Sequence, residues 1–200
     1  MVIAPLALAT LAVSASAQAV DKPYYLKGGI VYPSNKSTRD ATGDTGFTIG
    51  AGYQLGTPSL LGTTGGTPAV EVNFARNKSG DDKLENLSLY YKERYRQPGQ
   101  SGVYFGWGAG INFLDASVVS PVAAPPLLDE SIEEGAISPF ASVDTGVTEK
   151  NSGSKTTLGL NALVGFDLSD TTFIELGYTM AGKVQGRRAD SIDVTIGVKF

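Results

Sequence analysis

Apolar and polar residues alternate along most of this chain in short segments, the pattern of β-strands with one apolar face. The last segment, Ser191 to Phe200, shows the pattern clearly, and its apolar face consists of Ile192, Val194, Ile196, Val198 and Phe200. Seven similar segments precede it, at residues 24–32, 47–55, 69–75, 85–95, 102–113, 157–168 and 172–180. Most of the eight segments have about the 9 to 11 residues with which a tilted strand crosses a bilayer.

The apolar face of these segments carries almost no polar residue, Glu93 being the chief exception, whereas the opposite face is rich in glycine and charge. A secreted β-sandwich with a buried apolar face has the same periodicity, so alternation alone does not say which face is inside. Aromatic residues at the strand ends favour a membrane protein, because they form two predicted interfacial girdles. One girdle contains Tyr24, Tyr53, Tyr91, Tyr95 and Phe166, joined by Phe200, and the other contains Tyr32, Phe47, Phe74, Phe113 and Tyr178. The prediction is an all-β, membrane-spanning, antiparallel up-and-down β-barrel of eight strands.

The predicted inner face carries four cations and four carboxylates that form a lumen polar network: Lys27, Lys92, Arg94, Lys199, Glu71, Asp167, Glu175 and Asp193. An eight-stranded barrel is just wide enough for side chains to fill it, and charges in its interior must be paired. Strand order places Glu71 beside Lys92 or Arg94, and Glu175 beside Lys199. We therefore expect a polar plug in the periplasmic half and no wide pore. Because inward glycines leave space, a narrow channel for small solutes remains an alternative.

The connections differ in length between the two sides of the predicted barrel. Those assigned to the outside cover residues 33–44, 77–84, 114–156 and 181–189, and those assigned to the periplasm cover residues 56–68, 96–101 and 169–171. This asymmetry is typical of bacterial outer-membrane barrels, in which the longer loops are extracellular.

The longest connection contains an acidic outer loop at residues 115–155, with four prolines and a net charge of −5. A ten-stranded barrel would need two further strands there, which the prolines disfavour. The stretch LDESIEEG at residues 128–135 offers oxygen ligands for Ca²⁺ but lacks the spacing of an EF-hand loop, so a solvated acidic loop is favoured. Leu127, Leu128 and Ile132 are compatible with one amphipathic helical turn over the barrel.

The first residues have the pattern of a secretory signal peptide at residues 1–19, followed by the barrel at residues 20–200. An apolar stretch leads to Ala17-Gln18-Ala19, a pattern suited to cleavage before Val20. A disordered tail or a buried core helix are the alternatives. The first basic residue is Lys22, and a translation start upstream of Met1 would supply the missing basic region.

Composition narrows the functional classes. A net charge of −4 with a pI near 4.8 argues against binding of nucleic acid, which needs a basic surface. The chain has no histidine, which removes the commonest general base and metal ligand at neutral pH, and no cysteine, which excludes Cys-based metal sites. We therefore expect no enzyme activity, no cofactor and no metal site.

These features together resemble the OmpA/OmpX-type family of eight-stranded outer-membrane β-barrels, with OmpW-like barrels close by, over residues 20–200. The resemblance lies in the architecture and in the terminal signature, Tyr178 followed by Ile192, Val194, Ile196, Val198 and Phe200. It implies that the last strand is the signal read by the outer-membrane assembly machinery, with periplasmic chaperones as further partners during biogenesis. It also implies a monomer integral to the outer membrane of a two-membrane bacterium, in contact with outer-membrane lipid.

The function implied by this resemblance is an envelope-structural or surface-interaction role through the extracellular loops. Passive uptake of small hydrophobic molecules is the alternative, and it calls for an apolar pocket near the outer mouth lined by residues such as Val31, Leu114 and Leu163. A lipid-modifying barrel enzyme is least favoured, because such hydrolases depend on a histidine. The 114–156 stretch is longer than the usual loops of this family, which weakens any transfer of function.

Overall fold

The eight predicted strands form a closed antiparallel barrel in a computed structural model, which describes residues 21–60, 66–96, 102–121 and 148–200. The barrel strands are β1 (Tyr24–Pro33), β2 (Gly46–Gln54), β3 (Gly66–Ser79), β4 (Asp82–Arg96), β5 (Val103–Pro121), β6 (Thr148–Asp167), β7 (Thr172–Met180) and β10 (Ser191–Lys199). Each pairs with its neighbours in the chain, and β1 pairs with β10 to close the barrel. A short hairpin of β8 (Lys183–Val184) and β9 (Arg187–Arg188) lies between β7 and β10.

The outer wall of the barrel is apolar, as the alternation predicts. Leu89, Val164 and Ile196 are 44%, 56% and 54% exposed, respectively, whereas Lys92 and Asp193 on two of the same strands are buried and point into the barrel. A soluble sandwich would bury these side chains, so that alternative is wrong. Among the residues described by the structure, no helix is long and apolar enough to cross a membrane.

Several strands extend further toward the outside than the sequence predicts. β3 and β4 meet at a tight turn at Gly80 and Asp81, where Gly80 has a φ of 57°, so most of the expected 77–84 loop is strand. β5 and β6 also continue their pairing up to Pro121 and Thr148. Residues 115–121 and 148–155 of the predicted acidic loop are therefore strand, because backbone pairing continues beyond the apolar segment.

Two of the predicted features cannot be compared with the structure. The signal peptide at residues 1–19 lies outside the described residues. The same holds for the acidic stretch at residues 128–135 and for the predicted helical turn with Leu127, Leu128 and Ile132. On the periplasmic side, β3 starts at Gly66, three residues before the predicted strand, and shortens the expected 56–68 connection.

A short helix, α1 (Lys36–Thr42), lies in the first outer connection. Asn35 caps its start, because the side-chain oxygen accepts hydrogen bonds from the backbone N–H groups of Ser37 and Thr38 at 3.0 and 3.4 Å. The helix is joined to the β8–β9 hairpin: Thr38 Oγ1 donates to the carbonyl of Arg188 at 2.9 Å, and Arg187 Nη1 donates to the carbonyl of Ser37 at 2.9 Å. The first and last outer connections thus form one unit at the outer mouth.

Candidate functional site

Five charged side chains meet inside the barrel and form a single ion-pair network, the inner closure. Lys27 Nζ lies 3.0 Å from Glu71 and 3.1 Å from Glu175, which are on opposite sides of the barrel. Lys92 Nζ lies 2.6 Å from Glu71, and Arg94 Nε lies 2.8 Å from Glu175. All five side chains are buried. Lys27 and Glu175 are each the fourth residue from the periplasmic end of their strands, so the network lies in the periplasmic half.

Aromatic side chains complete the inner closure. Tyr25 Oη donates to Glu71 Oε2 at 2.8 Å, and Tyr104 Oη donates to Glu175 Oε1 at 3.1 Å. The guanidinium of Arg94 lies 4.4 Å from the centre of the Tyr25 ring and 5.7 Å from that of Phe173. These hydrogen bonds and cation–π contacts replace the interactions with water that the charged groups lose on burial. The sequence analysis missed these aromatic residues, although Tyr25 lies two positions from Lys27 on the same strand and therefore faces inward as well.

Aromatic rings occupy the space in front of three of the inward glycines. A Cβ atom added at Gly52 would overlap the ring of Tyr25, and one at Gly197 would overlap the ring of Phe173. The same relation holds between Gly165 and Tyr104. Glycine is therefore required where a large ring packs against its register partner on the neighbouring strand.

The remaining charged residues of the predicted network lie elsewhere. Lys199 Nζ contacts Asp167 at 2.6 Å near the periplasmic mouth, where Arg96 also pairs with Asp167. The expected contact between Glu175 and Lys199 is wrong: the residue opposite Glu175 is Thr195, and Lys199 lies four residues closer to the periplasm. Asp193 is buried in the outer half of the lumen and takes part in none of the ion pairs found among the described residues.

A second layer, the outer closure, lies in the lumen at the outer mouth. It is an apolar cluster in which the β8–β9 hairpin meets the barrel wall, and its members are Leu84, Leu114, Ala116, Ala181, Val184 and Ala189. Beside it Val31 lines a narrow cavity, together with Asn86 and the cluster member Leu84. Leu163 is buried but lies outside this cluster, so the structure does not bring Val31, Leu114 and Leu163 together as one apolar pocket.

The predicted girdle residues face outward. Tyr24 packs against Tyr53 and Phe200 with ring centres 5.0 and 6.1 Å apart at the periplasmic end of the β1–β10 seam. At the other end, the rings of Phe47 and Phe74 are 6.0 Å apart. The other predicted members, all part-exposed or exposed, are Tyr32, Tyr91, Tyr95, Phe113, Phe166 and Tyr178.

The terminal strand closes the barrel. The backbone N–H of Phe200 donates to the carbonyl of Tyr24 at 2.9 Å, and the N–H of Tyr24 donates back at 3.2 Å. Ile192, Val194, Ile196 and Val198 all point to the outer wall, as their alternation predicts.

Comparison with solved structures shows the same fold in proteins of very different sequence. The attachment invasion locus protein Ail of Yersinia pestis matches with a TM-score of 0.52 and 16% identity, over 90% of this chain and 100% of that one. The N-terminal β-barrel domain of Pseudomonas aeruginosa OprF matches with a TM-score of 0.50 and 9% identity, over 90% of this chain and 98% of that one. No curated protein matches the chain.

A family model gives the assignment that these distant structures support by fold. The model described as outer membrane protein beta-barrel domain matches residues 4–200, nearly the whole chain. With its closed eight-stranded barrel and apolar outer wall, this chain belongs to the outer membrane protein beta-barrel domain family and is an integral outer-membrane protein of the OmpA/OmpX type.

Proposed function

We propose that this barrel acts through its outer surface, in envelope structure or in surface interaction, and does not conduct solutes. The observation that carries the proposal is the double closure of the lumen. The ion-pair network spans the barrel from Glu71 to Glu175, and the outer closure lies in the mouth above it. When both layers are in place, only the outer surface of the barrel is accessible to other molecules.

The outer side of the barrel supports a surface role. The paired strands β5 and β6 have 19 and 20 residues, about twice the length needed to cross the bilayer. The first and last outer connections are joined through α1 and the β8–β9 hairpin. Ordered outer elements on a rigid scaffold are a common basis for recognition. Ail, which shares the fold, is named for attachment and invasion, but this likeness is one of fold alone.

Further parts of the proposal concern partners. The last strand, with Ile192, Val194, Ile196, Val198 and Phe200, acts as the assembly signal for the outer-membrane machinery after delivery by periplasmic chaperones. The folded protein is a monomer, because the β1–β10 pairing closes the sheet and leaves no open barrel edge for a second chain. Its surroundings are outer-membrane lipid, and it has no enzyme activity.

Planar-bilayer recording of the refolded full-length chain tests the closed lumen. We expect no conductance steps, because both closures must open before ions can pass. Regular steps in the unmodified protein would replace the proposal with a narrow channel. Uptake of a small hydrophobic solute into vesicles that contain the protein would instead favour passive transport.

A deletion strain of the native host separates the two surface roles. The strain is complemented either with the full chain or with a variant in which residues 122–147 are replaced by a short Gly/Ser linker. We expect both to fold, as shown by heat-modifiable migration on gels. If both restore detergent resistance, the role is structural. If only the full chain restores the property that the deletion strain has lost, residues 122–147 take part in an interaction with another molecule.

A further inference from the structure

Glu93 is the chief charged residue that the alternation places on the lipid-facing wall of the membrane segments, and its environment in the structure is unusual. It lies between the outward-facing Tyr91 and Tyr95 on β4, near the periplasmic end. The outward-facing Leu89 on the same strand is exposed, yet Glu93 is 0% exposed. A carboxylate on this wall needs polar partners, because acyl chains offer none.

Four donors surround the Glu93 carboxylate. The Ser59 hydroxyl donates at 2.9 Å, the backbone N–H of Leu60 donates at 2.6 Å, and the Tyr91 hydroxyl donates at 2.6 Å. The Tyr95 hydroxyl is a fourth donor. None of the ion pairs among the described residues includes Glu93, so neutral donors alone satisfy its charge.

Two of these donors come from the periplasmic connection between β2 and β3. Residues 55–60, which we call the strap, run over the outside of the barrel wall instead of away from it. The backbone N–H of Leu55 donates to the carbonyl of Pro68 at 2.8 Å, and Pro68, opposite Glu93 in the register, is buried. Gly66 makes room for the strap: an added Cβ atom would lie 2.8 Å from the Tyr95 ring and 2.9 Å from the Ser59 Cβ.

The strap ends on an apolar side chain that faces away from the protein. Leu60 is 74% exposed, although the backbone of the same residue is held on Glu93. Trp107 is the register partner of Glu93, and its ring centre lies 6.1 Å from that of Tyr91. Its indole N–H donates to the Tyr95 hydroxyl at 3.3 Å. Leu60 therefore stands beside an aromatic cluster at the periplasmic level of the bilayer.

We propose that the strap is a membrane-contact element, in which Leu60 enters the periplasmic leaflet of the outer membrane and Glu93 is the latch that holds it there. Lipid is the partner because the strap is continuous with the wall that already faces acyl chains. An exposed leucine next to interfacial tyrosine and tryptophan residues gains free energy when it enters that layer. Glu93 acts only by positioning the strap, and its charge is compensated in place by the four donors.

A single-cysteine probe tests both parts of the proposal, because the chain has no natural cysteine. A Leu60→Cys variant of the full chain carries a polarity-sensitive fluorophore and is refolded into phosphatidylcholine vesicles with or without brominated acyl chains. The matched control is Asp170→Cys, an exposed position in the short periplasmic turn at residues 169–171. We expect brominated lipid to quench the Leu60 probe and acrylamide to quench the Asp170 probe.

The latch is tested by adding Glu93→Leu to the Leu60→Cys variant. A leucine suits a lipid-facing wall, so this barrel should fold, but the strap loses its acceptor and the probe should become as accessible to acrylamide as the Asp170 probe. If Glu93→Leu prevents folding, Ser59→Ala and Glu93→Gln weaken the same contacts and should give intermediate quenching. Emission of Trp107, the sole tryptophan, reports independently on the loss of the cluster.

Two results would overturn the inference. If the Leu60 probe is quenched by acrylamide as strongly as the Asp170 probe in the unmodified background, the strap does not contact lipid. If the Leu60 probe stays in lipid after Glu93→Leu, Glu93 is not the latch.

Discussion

The lumen is closed by two layers that are built from different parts of the chain. The inner closure uses side chains of barrel strands, whose backbones are paired on both sides. The outer closure depends on Val184 in the β8–β9 hairpin, whose two strands pair only with each other. The outer layer can therefore move without breaking the barrel sheet, whereas the inner layer cannot rearrange without leaving a buried charge unpaired. Stability is concentrated in the first layer and freedom of movement in the second.

The largest effect is expected from Glu175→Gln, which attacks the inner closure. It leaves Lys27, Lys92 and Arg94 with Glu71 as the one carboxylate of the network. Because a buried charge is then left without compensation, the free energy of unfolding should fall by about 3–5 kcal/mol. Urea unfolding in lipid vesicles measures this loss.

The matched control is Asp193→Asn, which removes a buried carboxylate that belongs to none of the ion pairs among the described residues. Its effect should be much smaller. Equal losses for both variants would show that burial, and not the network, determines stability, and the contrast between the two layers would disappear.

A smaller loss is expected where glycine admits an aromatic ring of the inner closure. Gly52→Ala places a methyl group on the ring of Tyr25, which must move away from Glu71. Overpacking of this kind should cost about 1–3 kcal/mol in the same unfolding measurement. Gly28→Ala is the control, since its Cβ would have no neighbour closer than 3.7 Å, and that variant should unfold like the unmodified protein.

The smallest effect on global stability is expected from Val184→Asn in the outer closure, about 1 kcal/mol or less, because the hairpin lies outside the barrel sheet. Hydrogen exchange of residues 181–190 should nevertheless become faster. The variant should not conduct while the inner closure is intact, and the double variant with Glu175→Gln should. Conductance of Val184→Asn alone would mean that the outer layer is the one barrier to ions.

The alternation of apolar residues was sufficient to predict the eight strands and their outer faces, because lipid contact requires an apolar side chain at nearly every second position. It could not predict the strand ends beyond the bilayer. From Asp115 to Pro121 the backbone pairing continues, but Asp115 and Ser117 interrupt the apolar alternation of the outer face. The expected outer loops were too long for this reason.

The site was predictable in composition but not in its contacts. The alternation of faces along β7 shows that Glu175 points inward, but it does not give the position of Glu175 along the barrel axis. Its partner was therefore wrongly predicted as Lys199. Tyr25 and Tyr104 also lie at inward-facing positions of their strands and could have been included in the predicted lumen network. The contact of Ser59 with Glu93 joins residues 34 positions apart, and no local pattern in the sequence indicates it.

The long β5–β6 pair affects which part of the protein is accessible from outside the cell. From Phe113 to Pro121 the hairpin continues for eight residues, a length of roughly 26 Å at the usual spacing along a strand. Pro121 and Thr148 face each other at its end, so the chain leaves and returns at one point. Pro121 and Thr148 thus lie at the outer end of a paired stalk, and foreign peptides inserted between them should be displayed without disturbing the membrane part.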